Sequence, residues 1–515
     1  MPAIVTDNLK IRNCTNFIND ISNGNYYCFI GLSNYNEYYS NWNSSPPDPI
    51  DDFNYLNNYR DTILGVKKII PSNVVRVIPK IQWTSGLKYD MYRHDYSKYN
   101  LTPITNSTRL YDSRYYVINK DYKVYICINN GASPDNLKGV VSTVEPIHTS
   151  TTPVKETDGY VWKYLYTIPP SDVLKIDATN YISIPNDWTT TTNIEIKAVR
   201  DAAVNGKIET ILIESQGQYN YTGSYPNIPI KGDGSGGKAT VVFDGQGFPT
   251  EVTVTEGGQN YTFATLDLDG VDIDRISLNK AIFNVIIPPP GGHGKNVYTE
   301  LGANRVLIYN RIENTIDNPD FIEGNQFARV GIIKDITQFG NVGVFTGTTG
   351  SGVYGIVVNG PISSPSEDAV ITQEATKAIG SLVSAVSIGS SVVIKYTKPT
   401  EFYVDTYSDA SISVSKTFDR YLTNGVGLTT SSNYDYNSSA FNTTAIKIDT
   451  AGPYSVDTSV SGSKIGDTFL GQNFSSGLAN PDINTKSGEI VYVDNRVSVT
   501  RQSQQREDIK IIIEF

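Results

Sequence analysis

The closing stretch SGEIVYVDNRVSVTRQSQQREDIKIIIEF, Ser487 to Phe515, decides how this chain is read. It reads as two strands around a polar turn. Ile509, Ile511, Ile513 and Phe515 alternate with Lys510, Ile512 and Glu514, the period of a strand with one buried face. Chain ends usually fray. Four large apolar residues on one face of the last strand predict instead that this end is packed into a core. Upstream, Asp494-Asn495 is a favourable turn pair, so Arg496 is expected to be buried and to bridge to Glu489 across that turn.

Composition points the same way. At 515 residues the chain exceeds an ordinary single domain. It carries 35 Tyr against 17 Phe, 4 Trp and 2 Met, and tyrosine with Asn-rich turns favours strands over helix bundles. The expected fold is mainly β, a layered antiparallel β-sandwich core with a few helices in loops and inserted small all-β modules. The net charge of -11 and the lack of a basic stripe argue against nucleic acid. No apolar run is long enough to cross a bilayer, and no basic-then-apolar leader follows Met1. Synthesis in a cytoplasm without membrane insertion is therefore expected. Cys14, Cys28 and Cys127 form no CxxC pair and are odd in number, which predicts small buried hydrophobes and no disulfide scaffold. His94, His148 and His293 are far apart and lack zinc-site spacing.

Along the chain, Cys14, Phe17, Ile18 and Ile21 share one helical face, and YYCFI (26–30) is a strand ending on Gly31. Residues 34–49 read as a polar, aromatic loop. Asp51 and Asp52 open a second helix, with Phe53, Leu56, Ile63 and Leu64 inward and Gly65 as its stop. From Val66 the pattern is β. In TDGYVWKYLYTIPP (157–170), Tyr160, Trp162, Tyr164 and Tyr166 make one wholly aromatic face, suited to a sandwich. IETILIESQGQYNYT (208–222) and TEVTVTEGGQNYT (250–262) form a weak internal repeat, a small all-β module. The expected division is a discontinuous core (1–195, 275–340, 485–515), the repeat module (196–274) and a second Ser/Thr/Gly-rich β insertion (341–484).

Motifs for chemistry are weak. GDGSGG (232–237) satisfies GxGxxG, but a strand follows where a phosphate site needs a helix, so a hairpin loop is expected. GGHGKN (291–296) lacks P-loop spacing and follows three prolines, which makes it a rigid turn. DLDGVDID (267–274) does not keep calcium-loop order and reads as solvated aspartates on a strand edge. The sequons at Asn13, Asn106, Asn220 and Asn260 carry no weight without a leader. No catalytic residue, metal or cofactor is expected.

Four blocks resemble one family. VIPKIQW (77–83), DGYVWKYLYTIPP (158–170), QFARVGII (326–333) and SGEIVYVDNR (487–496) are similar to segments of the baseplate wedge subunit of T-even-like contractile-tailed phages, the gene-product-eight family. The second block is the most specific. Ala328-Arg329 displaces the family's arginine by one place, Asp494 replaces its usual glutamate, and Val497-Ser498 stands where the family has Pro-Pro. The resemblance implies a non-enzymatic, dimeric, sandwich-based subunit of the virion tail baseplate, assembled in the host cytoplasm and bound to other wedge proteins. Tail fibre attachment proteins are further candidate partners. The interface candidates are Tyr38, Tyr39, Trp42, Trp83, His293, Glu489, Asp494 and Arg496, with the loop 34–49 inserting into a neighbour. Two alternatives stay open: a receptor- or carbohydrate-binding tail protein using exposed tyrosines of the repeat, and a tail polysaccharide depolymerase.

Overall fold

The computed structural model describes residues 3–33, 42–99, 104–176, 179–269, 271, 273–276, 279–313, 326–365, 369–376, 378–398, 440–463, 472–502 and 505–515. The protein is mainly β, with 42% of residues in strands against 11% in helices, and every pairing between its strands is antiparallel where its register is defined. The chain forms two compact units. One comprises Met1–Ile18, Val74–Leu307 and Lys510–Phe515; the other comprises Asn19–Asn73 and Ile308–Ile509.

In the first unit, a four-stranded sheet runs in the order Tyr116–Ile118, Lys123–Asn129, Val161–Thr167, Val154–Lys155. Its centre is the pairing of Cys127 with Trp162 and of Tyr125 with Tyr164. The aromatic face is as expected: Tyr160, Trp162, Tyr164 and Tyr166 are all buried. Tyr160 and Trp162 stack at 5.3 Å, and Tyr89 meets Trp162 edge-on at 5.9 Å. The opposite face is buried too, at Lys163 and Leu165, and Lys163 Nζ donates to Thr151 O at 2.9 Å. The strand is therefore covered on both sides.

The same unit holds the repeat. Gly223–Gly232 and Ser235–Phe243 form a hairpin across the GDGSGG segment, as the strand after that segment required. The sheet order is Pro249–Gln259, Ser235–Phe243, Gly223–Gly232, Ala264–Leu266. Two of the repeat's tyrosines, Tyr219 and Tyr261, are buried: Ala281 N donates to Tyr219 Oη at 3.2 Å, and Tyr261 Oη donates to Ile230 O at 2.9 Å, while Tyr221, the counterpart of Tyr261, is only partly buried. Tyr219 and Tyr261 are therefore core pins and not exposed stacking surfaces.

In the second unit, a five-stranded sheet runs in the order Thr349–Ser351, Ile63–Lys68, Tyr26–Gly31, Gln326–Lys334, Glu489–Thr500. Close packing of its centre needs Gly331: a Cβ there would come within 2.3 Å of the Phe29 ring. A nine-stranded sheet spans the strands between Tyr354 and Ala479 and buries its own apolar cluster around Ile356, Ile371 and Ile394.

Three expectations are corrected. The second helix is Phe53–Asp61, capped by Asp52, and Phe53 is 88% exposed, while Ile63, Leu64 and Gly65 belong to the following strand. Short helices cannot hold that long an apolar stripe when a β-branched residue next to glycine favours the extended state. Asp494-Asn495 is no turn: it lies inside the strand Glu489–Thr500, opposite Val330 and Arg329. Ladder pairing with a long partner strand overrides local turn preference. The two C-terminal strands also join different sheets, since Arg506–Glu514 sits at the edge of a sheet ordered Arg506–Glu514, Arg305–Glu313, Val74–Pro79, Tyr181–Ile184. The last residue is nevertheless held, as expected: Phe515 N donates to Asn304 O at 3.1 Å, and its ring lies 5.5 Å from that of Phe17.

Candidate assembly surface

The four family-like blocks meet in pairs. In the second unit, Gln326–Lys334 lies directly beside Glu489–Thr500, with Arg329 opposite Asn495. Arg329 is fully buried. Its Nε donates to Asn495 Oδ1 at 2.9 Å and its Nη1 to Thr62 Oγ1 at 2.7 Å. The guanidinium lies 4.4 Å from the centre of the Tyr59 ring and 5.7 Å from that of Trp42. Asn495 Nδ2 donates in turn to Pro47 O at 2.9 Å, and Trp42 Nε1 to Arg496 O at 2.8 Å. Residues 42–50 are thereby stitched to the terminal strand of the sheet. That strand still exposes Val491, Val497 and Val499, an apolar row on a sheet edge and hence a surface that favours protein contact.

The charged residues of this strand differ from expectation. Arg496 is 63% exposed and pairs with Asp494 at 2.6 Å rather than with Glu489. Positions two apart on a strand share a face, which brings Asp494 and Arg496 together. The buried arginine of the region is Arg329, which composition and spacing did not single out. Its signal was the family block itself. Glu489 is exposed, opposite Lys334 in the ladder. Trp42 is buried, and Tyr38 and Tyr39 lie outside the described residues.

In the first unit, the other two blocks converge on one loop. Asp158 Oδ2 accepts from Thr143 N at 2.8 Å, Val144 N at 3.0 Å and Ser142 Oγ at 3.2 Å. Trp83 Nε1 donates to the same Ser142 Oγ at 3.1 Å. Gly159 follows with φ of +93°, a conformation that requires glycine and turns the chain into the aromatic strand. Tyr160 Oη closes the arrangement by donating to Val140 O at 2.8 Å. His293, from GGHGKN, is buried with Nδ1 at 2.6 Å from Glu300 Oε1, while Gly294 N donates to Glu300 Oε2 at 2.7 Å. That pair fixes the turn after the prolines.

The groups tested for chemistry have structural partners. Lys280 Nζ lies 2.9 Å from Asp267 and 3.2 Å from Asp269. Among the described residues, no group of three or more His, Cys, Asp or Glu could hold a metal. All three cysteines are buried, and burial pushes the Cys14 thiol up to about 11 and that of Cys28 up to about 12, far from a reactive thiolate. No helix among the described residues is long and apolar enough to cross a membrane.

The family described as bacteriophage T4 Gp8 matches residues 142–194, which include the Asp158 hub and the aromatic strand. The baseplate wedge protein gp8 of Enterobacteria phage T4 is 26% identical over 214 residues, covering 36% of this chain and 60% of that protein. The resemblance read from the sequence is borne out as similarity to gp8 of that phage, with the block Asp158–Pro170 inside the matched stretch. It spans about 60% of the length of the curated relative it matches.

Proposed function

We propose that the protein is a structural subunit of a phage tail baseplate wedge, where it joins neighbouring wedge proteins. The observation that carries this reading is the match of residues 142–194 to the family described as bacteriophage T4 Gp8, a stretch that holds the Asp158 hydrogen bonds and the aromatic strand. The protein acts by binding and not by catalysis. Its place is the virion tail baseplate, after assembly in the host cytoplasm. It pairs with itself as a homodimer, contacts other wedge proteins and, on its outer modules, tail fibre attachment proteins. Its contacts hold in the resting baseplate and shift on contraction. Segments 196–274 and 341–484 are outward insertions on the wedge core.

The loop 34–49 inserts into a neighbouring wedge chain; residues 34–41 of it lie outside the described residues. Glu489, Asp494 and Arg496 are the charges that flank the exposed valines of the edge strand. Labelled electron microscopy of intact tails, with an antibody against residues 206–268, tests the reading. Label at equivalent places around the baseplate supports it. Label confined to fibre tips favours the receptor-binding alternative, and unlabelled tails refute a tail location.

A further inference from the structure

The first unit carries a pocket of about 410 Å³, and every residue that lines it belongs to that unit. None of them belongs to either buried hub. The start of the helix Asp7–Asn23 contributes Asp7, Lys10 and Ile11. The other walls come from the stretch around Arg109–Tyr116, the turn Leu301–Arg305 and Glu514 of the last strand.

The charges of this pocket are unevenly answered. Two cations are held: Arg109 pairs with Asp7 at 2.5 Å, and Arg305 with Glu514 at 2.8 Å. Each pair has one half-exposed member, so each is a weak tie that an incoming carboxylate can share. The ammonium of Lys10 and the guanidinium of Arg114 have no hydrogen-bond or ion-pair partner among the described residues. Arg114 is held by its backbone alone, its N–H donating to Asp90 Oδ2 at 3.0 Å and its carbonyl accepting from Asp90 N at 3.1 Å. Lys10 sits near the positive end of its helix, where a cation is disfavoured and an anion is stabilised. The remaining acid of the lining, Asp112, acts on Arg109, whose charge is stabilised first by Asp7 and then by Asp112. Much of the rest of the lining is apolar: Ile11, Leu301 and Tyr116 are buried, and Ile81 and Tyr111 are half-buried.

We propose that this pocket receives an acidic segment of a partner polypeptide, whose apolar side chain packs against Ile81 and Tyr111 while its carboxylates bond Lys10 and Arg114. The two unanswered cations supply charge complementarity, and charge-assisted bonds to a carboxylate are the strong ones. The apolar lining supplies the second requirement. Inorganic phosphate would meet the cations and leave that lining in contact with water. The inference stands apart from the baseplate reading, which labelling of tails tests separately.

The test uses the full chain and fluorescent, end-blocked peptides Gly-Glu-Leu-Glu-Gly, Gly-Gln-Leu-Gln-Gly and Gly-Glu-Gly-Glu-Gly, with binding read by anisotropy. The first peptide is expected to bind about tenfold or more tighter than the second, which lacks the charges, and than the third, which lacks the apolar side chain. Excess inorganic phosphate should not displace it. The double variant Lys10→Gln, Arg114→Gln should bind the first two peptides equally. Its urea unfolding midpoint should match the parent's, because neither side chain has a partner to lose. The substitution Arg496→Gln, in the other unit, should change nothing. Equal binding of the glutamine peptide by the parent, an unchanged preference in the double variant, displacement by phosphate, or no binding by any peptide overturns the inference. If the double variant unfolds early, the three peptides and the phosphate competition on the parent chain decide it alone.

Discussion

The strand Val161–Thr167 in one unit and the strand Gln326–Lys334 in the other are both central and both buried, yet different forces hold them. Around Trp162 the packing is ring on ring, and the buried indole Nε1 has no hydrogen-bond partner among the described residues. Around Arg329 the packing includes a buried cation that donates to Asn495 and Thr62 and lies against two aromatic faces. At Trp162 the first strand tolerates a change of polar chemistry but not of volume. The second tolerates neither, because the guanidinium fork fits its partners in one geometry only.

The largest expected effect breaks the first side of the contrast. Trp162→Ala should destabilise the first unit by about 3–5 kcal/mol in urea denaturation, through lost apolar burial and a cavity. Trp162→Phe keeps most of the volume and gives up an N–H that bonds to nothing, so it should lose less than about 1.5 kcal/mol. A Phe variant as damaged as the Ala variant would show that the indole has a polar role. On the other side, Arg329→Ala should lose about 2–4 kcal/mol, and Arg329→Lys should fail to restore it, since lysine cannot reach Asn495 and Thr62 together. Rescue by lysine would mean that charge alone matters there.

Lys395 sharpens the contrast with a cation that is less well satisfied. It is buried on a central strand of the nine-stranded sheet, donates to Gln472 Oε1, and lies 5.3 Å from the centre of the Phe474 ring. Desolvation lowers its pKa from 10.5 to about 7, with Asp482 opposing the shift. Between those values the unfolded chain binds the extra proton, so stability should rise as pH rises from about 7 to 10.5. Lys395→Met should therefore stabilise the second unit, on the order of 3 kcal/mol at pH 7 and fading toward pH 10.5. A thermal scan across that range that shows a pH-independent difference would refute this origin.

Smaller effects follow. Asp158→Ala should lose about 2 kcal/mol by stranding the amides of Thr143 and Val144, measured as faster hydrogen exchange of those two amides. Arg496→Ala, which removes an exposed pair, should stay within about 0.5 kcal/mol of the parent. A large loss there would return Arg496 to the buried role expected from its turn-like neighbours.

Much of this fold was legible in the residues. The period-two patterns at Tyr160–Tyr166 and Ile509–Phe515 found their strands because side chains alternate between faces along a strand, although in Val161–Thr167 both faces are buried. The helix over Cys14–Ile21 and the hairpin at Gly232–Gly237 were legible for the same kind of local reason. The hub at Arg329 was not. Its partners Thr62, Asn495, Tyr59 and Trp42 come from three distant segments, and no spacing in the sequence announces which asparagine meets which arginine. The turn expected at Asp494-Asn495 failed because local propensity was outvoted by eight paired positions of a partner strand far away in sequence.

The sequence by itself determined the mainly β class, the buried aromatic strand, the inert cysteines and the family resemblance, all of which rest on local period, composition or contiguous motif. Tertiary structure alone decided that Arg329 is buried and Arg496 exposed, that Tyr219 and Tyr261 face inward, and that the last two strands join different sheets. Each of these is a matter of which distant groups share a desolvated volume, and burial energies act on that volume and not on position along the chain.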